Sequence, residues 1–181
     1  MRKIAKTLAL GLFAVAMAGA PILAQTPTID YDHTVNFLKF KTYTWERVHA
    51  TNPDVEARIT LAVNRDMSGR YMTEVAKGGD VTITAFEANT DKQEVTTFYS
   101  SLDDFAWQRP WGSGFLDSAA TPEDAPLSTL IIDMYDTKTH KLLWRGVLTL
   151  SPADVAGKDA DQKLDKAATT LIGKYPPKYK K

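Results

Sequence analysis

Thr129-Leu-Ile-Ile-Asp133-Met-Tyr135 and Leu142-Leu-Trp144-Arg-Gly146-Val-Leu148-Thr-Leu150 decide how this 181-residue chain reads. Both runs are short, apolar and rich in β-formers. The link between them, Asp136 to Lys141, is polar, and Asp136 can open a turn by bonding its own backbone. Two such runs so closely joined predict a β-hairpin, the strongest in the chain.

Moving outward from the hairpin, Val81-Thr-Ile83-Thr-Ala85-Phe86 predicts a strand, and Glu94 to Ser100 reads as another, with Asn89 to Lys92 as the loop between them. Phe40-Lys-Thr-Tyr43-Thr-Trp45 alternates large and polar residues, the period of a half-buried strand. Ile29 to Asn36 is mixed and extended, Arg70 to Val75 is a short extended piece, and Lys77-Gly78-Gly79-Asp80 is a turn signal. Asn52-Pro53-Asp54 supplies a capping side chain and a proline for a helix start. Val55, Ile59, Ala62, Val63 and Met67 then recur on one helical face, with Leu61 off the stripe and Gly69 placed to stop the helix. Beyond the hairpin, Ser151 to Lys158 is a loop. A second amphipathic helix over Asp159 to Lys174 carries Leu164, Ala168, Leu171 and Ile172, and Pro176-Pro177 ends it.

Strands joined by short turns pair antiparallel, and two helices with one apolar stripe each need a sheet face to cover. The expected fold is α+β. It is a two-layer sandwich, a mainly antiparallel sheet of about five strands with two amphipathic helices packed on one face. It forms a single domain over residues 25–181. Trp45 and Trp144 lie in alternating strands and are expected in the core.

Leu102 to Pro126 breaks the rhythm with Phe105, Trp107, Trp111 and Phe115 among glycines, prolines and acids. It reads as a long loop, 102–126, with aromatic anchors, and such loops are often functional. Trp107-Gln-Arg109-Pro-Trp111 is the best candidate ligand contact, because two rings can stack on a sugar or peptide while Arg109 pairs an anionic group. The competing reading is that these aromatics fold back over the core.

The N-terminus divides into a basic head (Arg2, Lys3, Lys6), an apolar or small stretch from Thr7 to Ala20, and the exit Pro21-Ile22-Leu23-Ala24. This is the pattern of a secretory signal peptide over residues 1–24, cleaved between Ala24 and Gln25. Cleavage after Ala20 has the better small-residue motif but leaves Pro21 beside the cut. An uncleaved anchor is the alternative, although Pro21 interrupts a stretch near the lower limit of about 17 residues for spanning. No other apolar run is long enough to span a membrane, so no transmembrane segment is expected after cleavage. The 157 residues that remain can bury about 70% of their unfolded surface.

The chain has no cysteine, which excludes disulfides, thiolate metal sites, a Cys nucleophile and a lipid-modified Cys. It carries 22 basic and 22 acidic side chains, and loss of Arg2, Lys3 and Lys6 leaves a net charge of −3. That balance speaks against a general nucleic-acid binder. The basic tail 176–181, with Lys178, Lys180 and Lys181, reads as a solvated end rather than an element for anionic lipid or polymer.

The catalytic candidates are few. Asp30, Asp32 and His33 could hold a metal, but an extended segment turns the two acids one way and His33 the other, and no ligand spacing is present. A solvated turn is the simpler reading, and no metal site or cofactor is implied. Asp133 and Asp136 could be a glycosidase pair. Turn chemistry explains Asp136 more simply, and a strand continued to Asp136 would set the two carboxylates on opposite faces. His140 sits at a hairpin tip. No nucleophile elbow, Walker loop or dinucleotide fingerprint appears, so no catalytic residue is named.

Asp30-Tyr-Asp32, Phe37 and Phe40-Lys-Thr-Tyr43-Thr-Trp45 near the start, the run from Thr129 to Gly146, and Leu164-Asp-Lys-Ala167 through Tyr175-Pro-Pro177 together resemble the bacterial domain-of-unknown-function family 4136. The most specific part is the Asp-x-x-Thr-x-Lys-Leu-x-Trp-Arg-Gly hairpin. The resemblance implies an envelope location and a small α+β domain, and it implies no activity. Many members are lipoproteins, and this chain departs there because it has no Cys. The functional expectation is a non-catalytic binding or structural module of the periplasm, with an envelope protein or cell-wall polymer as partner. The alternative is an envelope hydrolase with a site near the aromatic loop.

Overall fold

The structure, a computed structural model, describes residues 27–89, 97, 98, 100, 128–151 and 158–176. In chain order these form β1 (Thr28–Tyr31), a 3₁₀ turn (Phe37–Lys39), β2 (Thr42–His49), α1 (Pro53–Ser68), β3 (Thr73–Glu74), β4 (Val81–Asn89), β5 (Ser128–Asp136), β6 (Leu142–Leu150) and α2 (Ala160–Ile172). The strands make one six-stranded sheet in the order β1-β6-β5-β4-β2-β3.

The hairpin forms as its pattern requires, β5 against β6 from Ser128↔Leu150 to Met134↔Trp144. One oxygen of Asp136 accepts from the backbone N–H groups of Lys138 (3.1 Å) and Thr139 (2.9 Å) and from the Thr139 hydroxyl (3.0 Å). His140 closes the turn in the left-handed region at φ 55°.

The sheet is mixed: mainly antiparallel, as expected, with six strands rather than about five and a parallel part at one side that the short turns do not predict. β1–β6, β5–β6 and β4–β5 are antiparallel, but β4 and β3 both run parallel to β2. The reason is α1. A helix between β2 and β4 carries the chain back to its starting end, so the next strand runs the same way. A second correction concerns Glu94 to Ser100, expected as the strand paired with β4. Thr97, Phe98 and Ser100 are helical, the other four residues lie outside the described set, and β4 pairs with β5. Thr97 is β-branched, and tertiary context overrides its strand propensity. The loop 102–126 and the tail beyond Pro176 also lie outside the described residues.

α1 starts where the caps predict: Asn52 Oδ1 accepts from Val55 N at 3.1 Å, and Pro53 takes the first turn. Ile59, Ala62, Val63 and Met67 are buried, while Leu61 stands 68% exposed. Gly69 caps the helix in ordinary right-handed conformation (φ −61°). The residue that reverses the chain is Tyr71, at φ 60°, with Met72 N bonding back to Met67 O. This is a position glycine usually occupies. Since an L-residue there costs about 1–2 kcal/mol and the Tyr71 ring is 88% exposed, Tyr71→Gly is expected to raise stability by about 1 kcal/mol. Thermal and urea unfolding would check this.

α1 and α2 pack on each other and share one apolar cluster with Val81, Ile83 and Ala85 of β4, Leu130, Ile132 and Met134 of β5, and Trp144 and Leu148 of β6. Trp144 is fully buried, as expected, but Trp45 is only half-buried and donates its indole N–H to Asn64 Oδ1 at 2.9 Å. Gly146 explains the Trp-Arg-Gly motif. A Cβ there would lie 2.5 Å from the Trp144 ring and 3.2 Å from Leu171, so the ring lies across the glycine beneath α2. Gly79 serves a different approach, since its Cβ would meet the Tyr43–Thr44 backbone at 2.6–2.8 Å.

Candidate functional site

The strand register assembles a polar row on the face turned away from the helices. Asp30 of β1 faces Arg145 of β6, Arg145 faces Asp133 of β5, Asp133 faces Thr84 of β4, and Thr84 faces Arg47 of β2. A bulge between Trp45 and Arg47 brings Arg47 onto this face and returns Val48 to the core cluster. At the centre, Asp133 and Arg145 are 0% and 2% exposed. Arg145 Nε donates to Asp133 Oδ1 at 2.6 Å, Arg145 Nη2 donates to Oδ2, and the Tyr135 hydroxyl donates to Oδ2 at 3.2 Å. A planar guanidinium matched to a carboxylate in this way is the geometry that makes a buried charge tolerable. Asp133 and Asp136 fall on opposite faces, as a strand reaching Asp136 requires. They do not form a two-carboxylate catalytic pair.

Asp32 corrects the expectation of a solvated turn. It is 8% exposed and accepts from Thr34 N (2.9 Å), Thr34 Oγ1 (2.6 Å) and Lys141 Nζ. The turn after β1 is thereby fastened to the hairpin 109 residues away. His33 is exposed, with its ring 4.2 Å from that of Tyr31, and no group of three or more metal-ligating side chains occurs among the described residues. The hydrogen bond from Lys141, then those from Thr34, hold the Asp32 pKa down from 3.8 to about 2. A depressed carboxylate stabilises above its unfolded pKa, and that contribution is lost as pH falls through the folded value. Lys141 is half-exposed and solvent screens the pair, so Asp32 is expected to contribute on the order of 1 kcal/mol above about pH 4, draining away towards pH 2. Asp32→Asn should flatten this part of the stability–pH curve in acid titrations of urea unfolding.

A cleft of about 210 Å³ opens between the N-termini of α1 and α2, lined by Thr51, Asn52, Asp54, Val55, Arg58, Glu87, Ala160, Asp161 and Leu164. At its base Glu87 is 2% exposed and accepts from Thr51 N and Thr51 Oγ1 at 3.2 Å and from the Ser128 hydroxyl. Arg58 pairs with Asp161 at the rim. Ser128 is 1% exposed and cannot meet a substrate as a nucleophile. The signal for Glu87 was present in the sequence. Val81, Ile83 and Ala85 alternate towards the core, and Glu87 continues that parity with a charge. Trp107, Arg109 and Trp111, like Ala24 and Gln25 at the expected cleavage point, lie outside the described residues.

The family described as "Domain of unknown function (DUF4136)" matches residues 27–177. The chain belongs to this family. The DUF4136 match includes the Asp32–Lys141 tie, the Trp144–Gly146 contact and the Asp133–Arg145 pair. No curated protein matches the chain. Among solved structures it is similar to a PDZ domain protein from Parabacteroides distasonis, with TM-score 0.55 and 17% identity over 85% of this chain. The chain spans 35% of that protein's length, and the likeness concerns the fold. Two PelC dodecamer structures from Paraburkholderia phytofirmans, one of them a point variant, align with TM-scores of 0.43 and 0.45 at 11% and 12% identity. Those alignments cover 82% and 83% of this chain and 93% of each PelC chain.

Proposed function

We propose that this DUF4136 chain is an exported module of the bacterial envelope that works by binding or by structure and not by catalysis. The observation that carries this reading is that four of the best-sheltered carboxylates among the described residues are committed to structural partners. Asp32 is held by Lys141 and Thr34, Asp133 by Arg145 and Tyr135, Asp136 by the hairpin turn, and Glu87 by Thr51 and Ser128. A general acid or base needs an oxygen that substrate can reach. The basic head, apolar stretch and Ala24 exit support release into the periplasm, with no Cys to lipidate. Under this reading the N-terminus of the exported protein is Gln25, and an intact Met1 in the membrane fraction would contradict it.

Ligand contact is assigned to Trp107, Arg109 and Trp111, whose rings and guanidinium suit an anionic cell-wall glycan. Trp107→Ala/Trp111→Ala is expected to leave the melting temperature unchanged and to weaken retention on cell-wall fragments by at least about tenfold. Lost stability with unchanged retention would place these rings in the core instead. Turnover of an esterase or glycosidase substrate, abolished by one carboxylate substitution, would replace the proposal with an envelope hydrolase.

A further inference from the structure

The topology gathers one set of loops at one end of the sheet. β2 and β4 are parallel and begin there, and the β5–β6 turn and the end of β1 lie at the same end. Hydrogen bonds tie these loops together. Asp80 accepts from the N–H groups of Lys41 and Thr42, Thr137 N bonds Asp80 O, Thr73 N bonds Lys41 O, and Arg70 Nε bonds Tyr175 O just beyond α2. The surface so formed is lysine-rich. Lys39, Lys41, Lys77, Lys138 and Lys174 are all exposed, and none forms an ion pair with a described residue.

The acids at this end keep their charge: Asp32 is paired with Lys141, Asp80 and Asp136 are held ionised by their hydrogen bonds and lie near Lys138 and Lys39, and Glu74 accepts from Asn64 Nδ2. The basic groups outnumber them, with Arg70 and Lys141 beside the five lysines. Two of the three exposed large hydrophobic residues among the described ones also lie here: Leu38, 65% exposed on the 3₁₀ turn beside Lys39, and Tyr71, 88% exposed before β3. Parallel pairing of β2 with β3 sets the segments that precede them side by side. Tyr71 holds a left-handed position that glycine would occupy at lower cost, and its ring gains no burial there. The opposite end is of mixed charge, with Asp54, Glu56, buried Glu87 and Asp161 beside Arg58 and Lys158.

We propose that this end docks on an anionic phospholipid bilayer, with Leu38 and Tyr71 entering the interface and the lysines lying against the headgroups. A soluble polyanion would reward the lysines alone, whereas a bilayer also rewards an exposed Leu and a Tyr at headgroup depth.

The test is co-sedimentation of the protein purified from its producing cell, its N-terminus verified by mass spectrometry, with vesicles of phosphatidylcholine alone or with 30% phosphatidylglycerol. Binding is expected only to the anionic vesicles, and it should be lost in 0.5 M salt. Lys39→Gln/Lys41→Gln/Lys138→Gln should weaken it about 100-fold. Leu38→Ser/Tyr71→Ser should weaken it at least about tenfold. All five positions are exposed, and circular dichroism would confirm that the variants fold. Equal binding to both vesicle types, no binding to either, or binding that ignores the Leu38/Tyr71 change would overturn the proposal, the last result indicating a polyanion site.

Discussion

Asp133→Ala is expected to lower the unfolding free energy by about 3–5 kcal/mol, read as a fall in the urea midpoint at unchanged slope. The size follows from what remains. Arg145 is 2% exposed, and two of its nitrogens donate to Asp133. Removal of the carboxylate leaves a guanidinium deep in the sheet without its bidentate partner, and the Tyr135 hydroxyl loses an acceptor. Removing both charges together is a different experiment. Asp133→Leu/Arg145→Met replaces the pair with apolar groups and should recover most of the loss, because the desolvation cost of both ions disappears with them. If the double variant were as unstable as Asp133→Ala, the pair would be acting through packing rather than charge.

Trp144→Ala is expected to cost about 3–5 kcal/mol in the same measurement. The ring is fully buried, lies across Gly146 against Leu171, and meets Tyr175 edge-on at 6.0 Å. Its indole N–H has no hydrogen-bond partner among the described residues, so the loss is one of packing and Trp144→Phe should cost much less. The contact with Gly146 can be isolated by a cycle. Gly146→Ala should destabilise the wild type by about 1–3 kcal/mol, since its methyl group would strike the ring, and should be close to neutral once Trp144 is alanine. Equal effects in both backgrounds would show that the close approach of Leu171, 3.2 Å from the added Cβ, and not the ring, requires Gly146.

Much of the fold was legible because it rests on local periodicity. The hairpin showed in its two apolar runs and in Asp136, the helices in their stripes, and the start of α1 in Asn52-Pro53. Leu61 falls off the stripe, and it is exposed. The errors share one cause. Glu94 to Ser100 has the composition of a strand, yet its described residues are helical. Trp45 alternates like a core residue and packs against the core cluster, but next to the short edge strand β3 its ring is only partly buried. Asp32 looked solvated because its partner, Lys141, is remote in sequence. The candidate contact Trp107, Arg109 and Trp111 was legible only as composition, a cluster of rings and one guanidinium with no spacing that specifies a ligand.

Local pattern thus determined the elements, the class, the absence of cysteine chemistry and the family likeness, because side-chain period and capping act over a few residues. Tertiary structure decided which strands are neighbours, that β2 and β4 run parallel, and that Asp133 meets Arg145. It also decided that Leu38, Tyr71 and five exposed lysines from separate loops share one end of the molecule. Those outcomes depend on strand order and register, which are set by the packing of distant segments against a common core and have no signature in any single stretch of chain.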